Sequence, residues 1–401
     1  MQTISRGILR PHMTEHALYL HIPFCRHRCA YCDFNTYAGL DNLIEPYMRA
    51  LTREIEQVAD SFQGGICSIF FGGGTPSLVP LPLMNPVMSA IQKGFHLSPE
   101  VEITLEANPG TVSPEYLAGL RALGFNRLSM GMQSASPEDL RVLEREHDFA
   151  DVVNAVKWAR QAGFANVSVD LIFGTPYQSV ESWQRTLELA LGLGTEHLSV
   201  YNLILEHGTP MLAWVERGLL AEPDADLAAD MYEHALSRLA AAGYEHYEIS
   251  NWARRDAQGN LLACLHNLQY WRNLPYFGLG AGAHGYVAGI RTVNARAPQA
   301  FIERMNSAAA PAYPRTPATV NASPVSRRDE MNEHMMMGLR LVGEGVGVGA
   351  FATRFGESLE AVFSVELREL VELGLLRWEG DVLRLTPRGV MLGNQVFMRF
   401  V

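Results

Sequence analysis

The chain is almost without lysine. Only Lys93 and Lys157 occur in 401 residues; arginine carries the rest of the positive charge, and the acidic residues leave a formal net charge of −11. Nucleic-acid binding needs a clustered basic footprint that displaces counterions from phosphates, so this balance argues against that class. Long apolar runs are missing as well: nothing reaches the roughly 18 consecutive apolar residues of a membrane span. The opening MQTISRGILRPHMTEHAL lacks the apolar centre of a signal peptide. Residues 1–14 are therefore expected to form a flexible tail, and the protein to be cytoplasmic. Cysteine is scarce, with five in all, and an odd number fits a reducing compartment better than a disulfide scaffold. Hydrophobic residues, at 48%, suffice for one barrel-sized domain and a smaller one.

Three of the five cysteines, Cys25, Cys29 and Cys32, stand in the stretch HIPFCRHRCAYCDF with C-x3-C-x2-C spacing. Sulfurs so close on one short loop can be turned toward one point, and deprotonated sulfur suits zinc or an iron–sulfur cluster. A closed zinc site needs a fourth ligand, which His21 or His27 offers. A 4Fe-4S cluster on three thiolates leaves one iron without a protein ligand. The loop by itself leaves both open.

Downstream, short apolar runs alternate with segments of helical period. ALYLHIPF (17–24), ICSIFFGGG (66–74), VEITLEANP (101–109), NRLSMGMQS (126–134), NVSVDLIFG (166–174) and HLSVYNLIL (197–205) read as strands. Their near-continuous hydrophobicity suits a parallel sheet covered by helices. Phe149, Val152, Val153, Val156 and Ala159 define one face of a helix, and Ser113-Pro114 and Ser136-Pro137 mark two more helix starts. The pattern predicts an α/β fold, a partial or complete (β/α) barrel over residues 15–250, with its site at the C-terminal strand ends. The cysteine loop follows the first such end. The others carry Gly72-Gly73-Gly74-Thr75, Glu106, Gln133 and Asp170, the last an acid inside an apolar run that is costly to bury without a partner.

With the aromatic Tyr31 before its third thiol, the loop resembles the signature of the radical S-adenosylmethionine (SAM) enzymes. The strand-end residues match, in order and spacing, the branch that resembles the oxygen-independent coproporphyrinogen III oxidases and the HemW haem chaperones. The resemblance covers nearly the whole chain from Tyr19 onward. It implies a partial barrel of the radical SAM type, and a 4Fe-4S cluster on Cys25, Cys29 and Cys32 whose open iron SAM chelates through its amino and carboxylate groups. By the same resemblance Tyr19 packs near SAM and the cluster, Gly73, Gly74 and Thr75 line the methionine end, and Glu106, Gln133, Arg145 and Asp170 contact SAM.

Residues 251–320 read as an irregular segment that ends in a proline-rich linker. It contains Cys264, then His266-Asn267-Leu268-Gln269-Tyr270-Trp271, then LGAGAHGY (279–286). The HNxxYW string resembles the haem-binding motif of HemW, which implies His266 as an axial ligand and haem as cargo; Tyr270 and Trp271 offer flat apolar surface for a macrocycle. Residues 321–401 read as two helices and a strand pair, a small winged-helix-like domain. Residues 326–401 hold nine arginines and no lysine against eleven acids, so DNA binding is not expected there.

Two functions fit. An oxidase would use SAM and one electron to decarboxylate propionates of coproporphyrinogen III to vinyl groups. A carrier would bind haem and pass it to client proteins such as respiratory enzymes, peripheral to the membrane at delivery. Either implies an electron donor for the cluster. The oxidases resemble C-x3-C-x2-C-x-C, and Phe34 stands here at the last position. Their segment before the cluster is longer than the 24 residues that precede Cys25. HNxxYW belongs with the chaperones. All three features favour the carrier.

Overall fold

All six apolar runs form strands. A computed structural model describes residues 15–309 and 312–401; the expected tail at 1–14 and the first residues of the proline-rich segment lie outside the described residues. The strands are β1 (His16–Ile22), β2 (Gly65–Gly73), β3 (His96–Ala107), β4 (Arg127–Gln133), β5 (Asn166–Phe173) and β6 (His197–Asn202). Each pairs in parallel with its neighbour, as their two-sided hydrophobicity requires. Intervening helices, among them Ile44–Ser61, Leu81–Gly94 and Val180–Gly192, bury apolar faces against them in one core. The two lysines stay exposed on the outer helices.

The stretch expected to be irregular is not. Residues 251–320 add β8 (Asn251–Ala253), β9 (Tyr276–Leu279), β10 (His284–Val287) and β11 (Ile290–Asn294) to the same sheet, together with β7 (Glu245–Glu248) before them and β12 (Thr319–Pro324) after. The order is β12-β11-β10-β9-β1-β2-β3-β4-β5-β6-β8-β7, an open sheet of 12 strands in which β9 lies parallel to β1 and the flanks are antiparallel. These strands are three to six residues long and broken by glycine, too short for a periodic signal.

Helix starts follow the reading. Ser113 Oγ accepts from the Tyr116 N–H at 3.2 Å and Ser136 Oγ from the Asp139 N–H at 3.3 Å, each ahead of a proline that opens its helix. One face needs correction. In the helix Phe149–Gln161 the buried stripe runs through Val152, Ala155, Val156 and Ala159, while Val153 is 41% exposed. The capping box of Asp148 and Asp151 fixes where the helix starts and turns Val153 outward.

A second core gathers residues 331–400. It contains the expected helices Arg327–Gly338 and Leu359–Glu372 and the antiparallel pair Leu376–Glu379 and Val382–Leu385, plus a helix at Val348–Phe355 between them. Met331 and Met335 are packing residues in it. Among the described residues no helix is long and apolar enough to cross a membrane.

One buried carboxylate fastens the sheet's mouth. Glu54 accepts from the Gly280 N–H at 2.7 Å, the Asn294 amide at 2.8 Å and the Thr316 hydroxyl at 2.7 Å. Burial pushes it up to about 7 against those bonds. Its folded pKa is thus above the unfolded value, so its contribution is fully present below about 4.5 and is lost as pH rises through about 7. Glu54→Leu strands three donors and should destabilise the protein by on the order of 3 kcal/mol in urea denaturation; a loss below about 1 kcal/mol would show that the donors find other partners.

Candidate functional site

The loop after β1 returns to the C-terminal end of β2, and the strand ends surround a cavity of about 420 Å³. The structure brings together in its wall Cys25, Cys29 and Cys32 from the loop, Gly73, Gly74 and Thr75 from the end of β2, Glu106 from β3, Gln133 from β4, Arg145 and Asp170. Tyr19 and His266 lie elsewhere.

The thiols are unpaired and half-buried. Cys25 Sγ accepts from the Thr75 hydroxyl at 3.6 Å, Cys29 Sγ faces the Arg145 guanidinium at 3.8 Å, and Cys32 Sγ lies 4.0 Å from Thr36 Oγ1. Burial pushes the Cys25 thiol upward against the Thr75 hydrogen bond, and Cys32 and Cys29 add to the rise. A metal or cluster would relieve that penalty by drawing electron density from the thiolates. Neither histidine completes a zinc set. His21 is held at both ring nitrogens, by the Tyr19 hydroxyl at 2.9 Å and the Asn35 carbonyl at 2.9 Å, and His27 meets Glu144 at 3.3 Å on the surface. Among the described residues no three potential ligands already stand in closed metal geometry. Three sulfurs at an open cavity, with no preformed closed ligand set among the described residues, fit a cluster with one unprotected iron better than a closed zinc site.

Gly73 has φ +113°, and a Cβ there would come within 2.4 Å of the His21 ring. Only glycine lets β2 turn under the cysteine loop while its N–H donates to Glu106 at 3.0 Å. Gln133 has φ +64° at a bulge where β4 slips against β5 between Gly131 and Gln133. The bulge re-aims the strand's last side chain into the cavity, and nothing in the residue type announces it.

The cavity floor is electrostatically costly. Glu106 is pushed up to about 7, mainly by burial and then by the nearby Asp170 charge; the Gly73 N–H and Arg127 act in the opposite sense. Asp170 is raised as well, by burial, although Ser199 and Ser129 hydrogen-bond to it. Ser129, 3.1 Å from Asp170 Oδ1, and Glu144, which lines the cavity beside Arg145, were not singled out from sequence. Serine and glutamate at those positions look like ordinary strand and helix-end residues. Two adjacent, partly buried carboxyls lining one cavity suit a cationic ligand.

Tyr19 lines a second cavity, about 530 Å³, that shares Phe34, Gly73 and Glu106 with the first. His266 lies behind this wall on the helix Leu265–Trp271, 1% exposed. Its Nδ1 pairs with the Ser68 hydroxyl at 3.0 Å and its Nε2 with the Tyr270 hydroxyl at 3.0 Å, with Phe70 stacked on the ring at 5.1 Å. Burial, and secondarily Arg127, push it down to about 3. In this arrangement neither nitrogen is open to iron. Trp271 points the other way, with Arg340 of the C-terminal module 4.4 Å from its ring. Cys264 is buried at 1% exposure with its thiol pushed up to about 12, an inert core group.

The Radical SAM superfamily model matches residues 19–190, and the HemN C-terminal domain matches 325–392. The chain is 38% identical over 385 residues to the heme chaperone HemW of Bacillus subtilis, covering 96% of this chain and 98% of that one. It is 36% identical to the heme chaperone HemW of Mycobacterium tuberculosis, covering 94% and 93%. The solved coproporphyrinogen III oxidase (HemN) from Escherichia coli, a radical SAM enzyme, superposes with a TM-score of 0.81 over 96% of this chain and 90% of its own at 24% identity, a likeness of fold. The HemW likenesses, by contrast, extend at such identity over nearly the whole of both sequences, and the chain belongs to the HemW family within the radical SAM superfamily.

Proposed function

We propose that the protein is a haem carrier that binds haem and hands it to client haemoproteins, on a scaffold that holds a 4Fe-4S cluster and SAM. The observation that carries this reading is the meeting of two cavities at Phe34, Gly73 and Glu106. One is lined by thiols and carboxyls; the other has an aromatic wall of Tyr19, Tyr270 and Tyr276 suited to a flat macrocycle. At their junction Phe34, 64% exposed, presents a ring where the oxidase pattern has a further thiol. The near-full-length relatives named heme chaperone point the same way.

Cys25, Cys29 and Cys32 would hold the cluster, which would supply the electron for reductive chemistry on SAM bound beside it. The roles of the chain's own residues follow from charge and shape. Glu106 and Asp170 set a negative floor for the ligand's positive charge. Arg145, fixed by the Gly131 carbonyl at 3.0 Å, balances the thiolates beside it. Gly73, Gly74 and Thr75 bring bare backbone and one hydroxyl alongside, and Gln133 adds a neutral amide. Tyr19 closes the wall between the cavities. Within this reading the barrel unit of 15–250 carries the cofactors, 251–320 carries the cargo motif, and 321–401 is a scaffold braced on Trp271.

The alternative, decarboxylation of coproporphyrinogen III, is separable by experiment. Anaerobic protein reconstituted with iron and sulfide should bind haemin stoichiometrically and give no vinyl product from coproporphyrinogen III with SAM and reductant; efficient conversion would reverse the assignment. A second test concerns Glu106. The SAM sulfonium is permanently positive and favours the ionised carboxyl, so affinity should fall below pH 7 by up to about tenfold per pH unit, with proton release on binding visible by calorimetry in buffers of different ionisation enthalpy. Glu106→Gln should flatten that dependence and weaken SAM binding at pH 8 by about tenfold or more. It should also raise stability at pH 8 by on the order of 1–3 kcal/mol, because a charge is no longer buried there.

A further inference from the structure

The family motif directs attention to His266, yet that imidazole is enclosed and both its nitrogens are engaged. The neighbouring cavity holds another. His284 opens β10, is exposed, and lines the same wall as Tyr19, Tyr270 and Tyr276. Among the described residues its ring has no hydrogen-bond partner, and partial burial followed by Arg291 and Arg296 lowers its pKa, which favours the neutral form that ligates iron. Arg296, also exposed on this wall, has no ion-pair partner among the described residues although acids outnumber bases in the chain. A free guanidinium at the edge of an aromatic cavity fits a carboxylate.

The loop beneath His284 is tied down by hydrogen bonds. Gly280 has φ +94°, and its N–H donates to Glu54 at 2.7 Å. The Ala281 N–H donates to the Tyr47 hydroxyl at 2.8 Å, and Asn35 of the cysteine loop donates to the Ala281 carbonyl at 3.1 Å. A ligand on such a pedestal needs little ordering on binding.

Resting on the haem-carrier reading, we propose that haem lies in the cavity lined by Tyr19, Tyr270 and Tyr276, with His284 on the iron and Arg296 on a propionate carboxylate. His266 then acts from behind the wall as a positioning residue that fixes the Tyr270 hydroxyl.

Titration of the full chain with haemin tests this, read by absorption and electron paramagnetic resonance. His284→Ala should lose the imidazole-ligated signature and about tenfold or more in affinity, and added imidazole should restore the signature. His266→Gln, which retains two hydrogen-bonding atoms, should keep it. Arg296→Ala should weaken haemin binding while leaving binding of the haem dimethyl ester unchanged. The inference is overturned if His284→Ala keeps the wild-type spectrum and affinity, or if the signature disappears with His266→Gln alone. Wild-type protein that binds SAM and takes up no haemin would instead overturn the carrier reading on which the inference rests.

Discussion

The hydroxyl of Tyr47 joins the two loops on which both cavities depend. Fully buried, it donates to the His21 carbonyl at 2.6 Å and accepts from the Ala281 N–H at 2.8 Å. Seven residues on, Glu54 takes the next donor of the glycine loop, so two side chains of one helix clamp the junction of β1 and β9. Such bonds lie where no water competes, and each would leave a buried polar group stranded if broken. The cysteine loop springs from one side of this clamp and the His284 strand from the other.

Around that clamp the molecule accepts unfavourable electrostatics in specific places. At the floor of the first cavity Glu106 and Asp170 are both raised, each mainly by burial, and Glu106 also by the Asp170 charge. Arg127, 2% exposed, lies 3.9 Å from Glu102, which also accepts from the Leu265 and His266 N–H groups that begin the motif helix. Buried ion pairs of this kind contribute little net stability, and here the pair serves to seat a helix behind the cavity wall. Local rules are broken where ligands are expected and kept elsewhere.

What could be read in advance follows the strength of the physical signal. Strands buried on both faces carry apolar runs from end to end, so β1 to β6 were legible, and so was the thiol spacing. The serine–proline helix starts were legible because a cap and a fixed φ act locally. Val153 misled because it sits four residues from Phe149, and only the capping box sets the helix phase. The strands of 251–320 were hidden because their order comes from pairing onto an existing edge, a tertiary effect. Gln133 was legible as a strand end, and its ligand role came by resemblance; its positive φ arises from a bulge that no residue type marks. His266 is the converse case, where a motif names a residue and the fold sets Ser68 and Tyr270 on its two nitrogens.

Glu106 belongs to the walls of both cavities. A titratable group facing two compartments makes their occupants reciprocal: whatever fixes its proton in one alters affinity in the other by the same factor, and the reverse holds equally. On the haem-carrier reading, the shared carboxyl would couple what binds in one cavity to what binds in the other with no moving part.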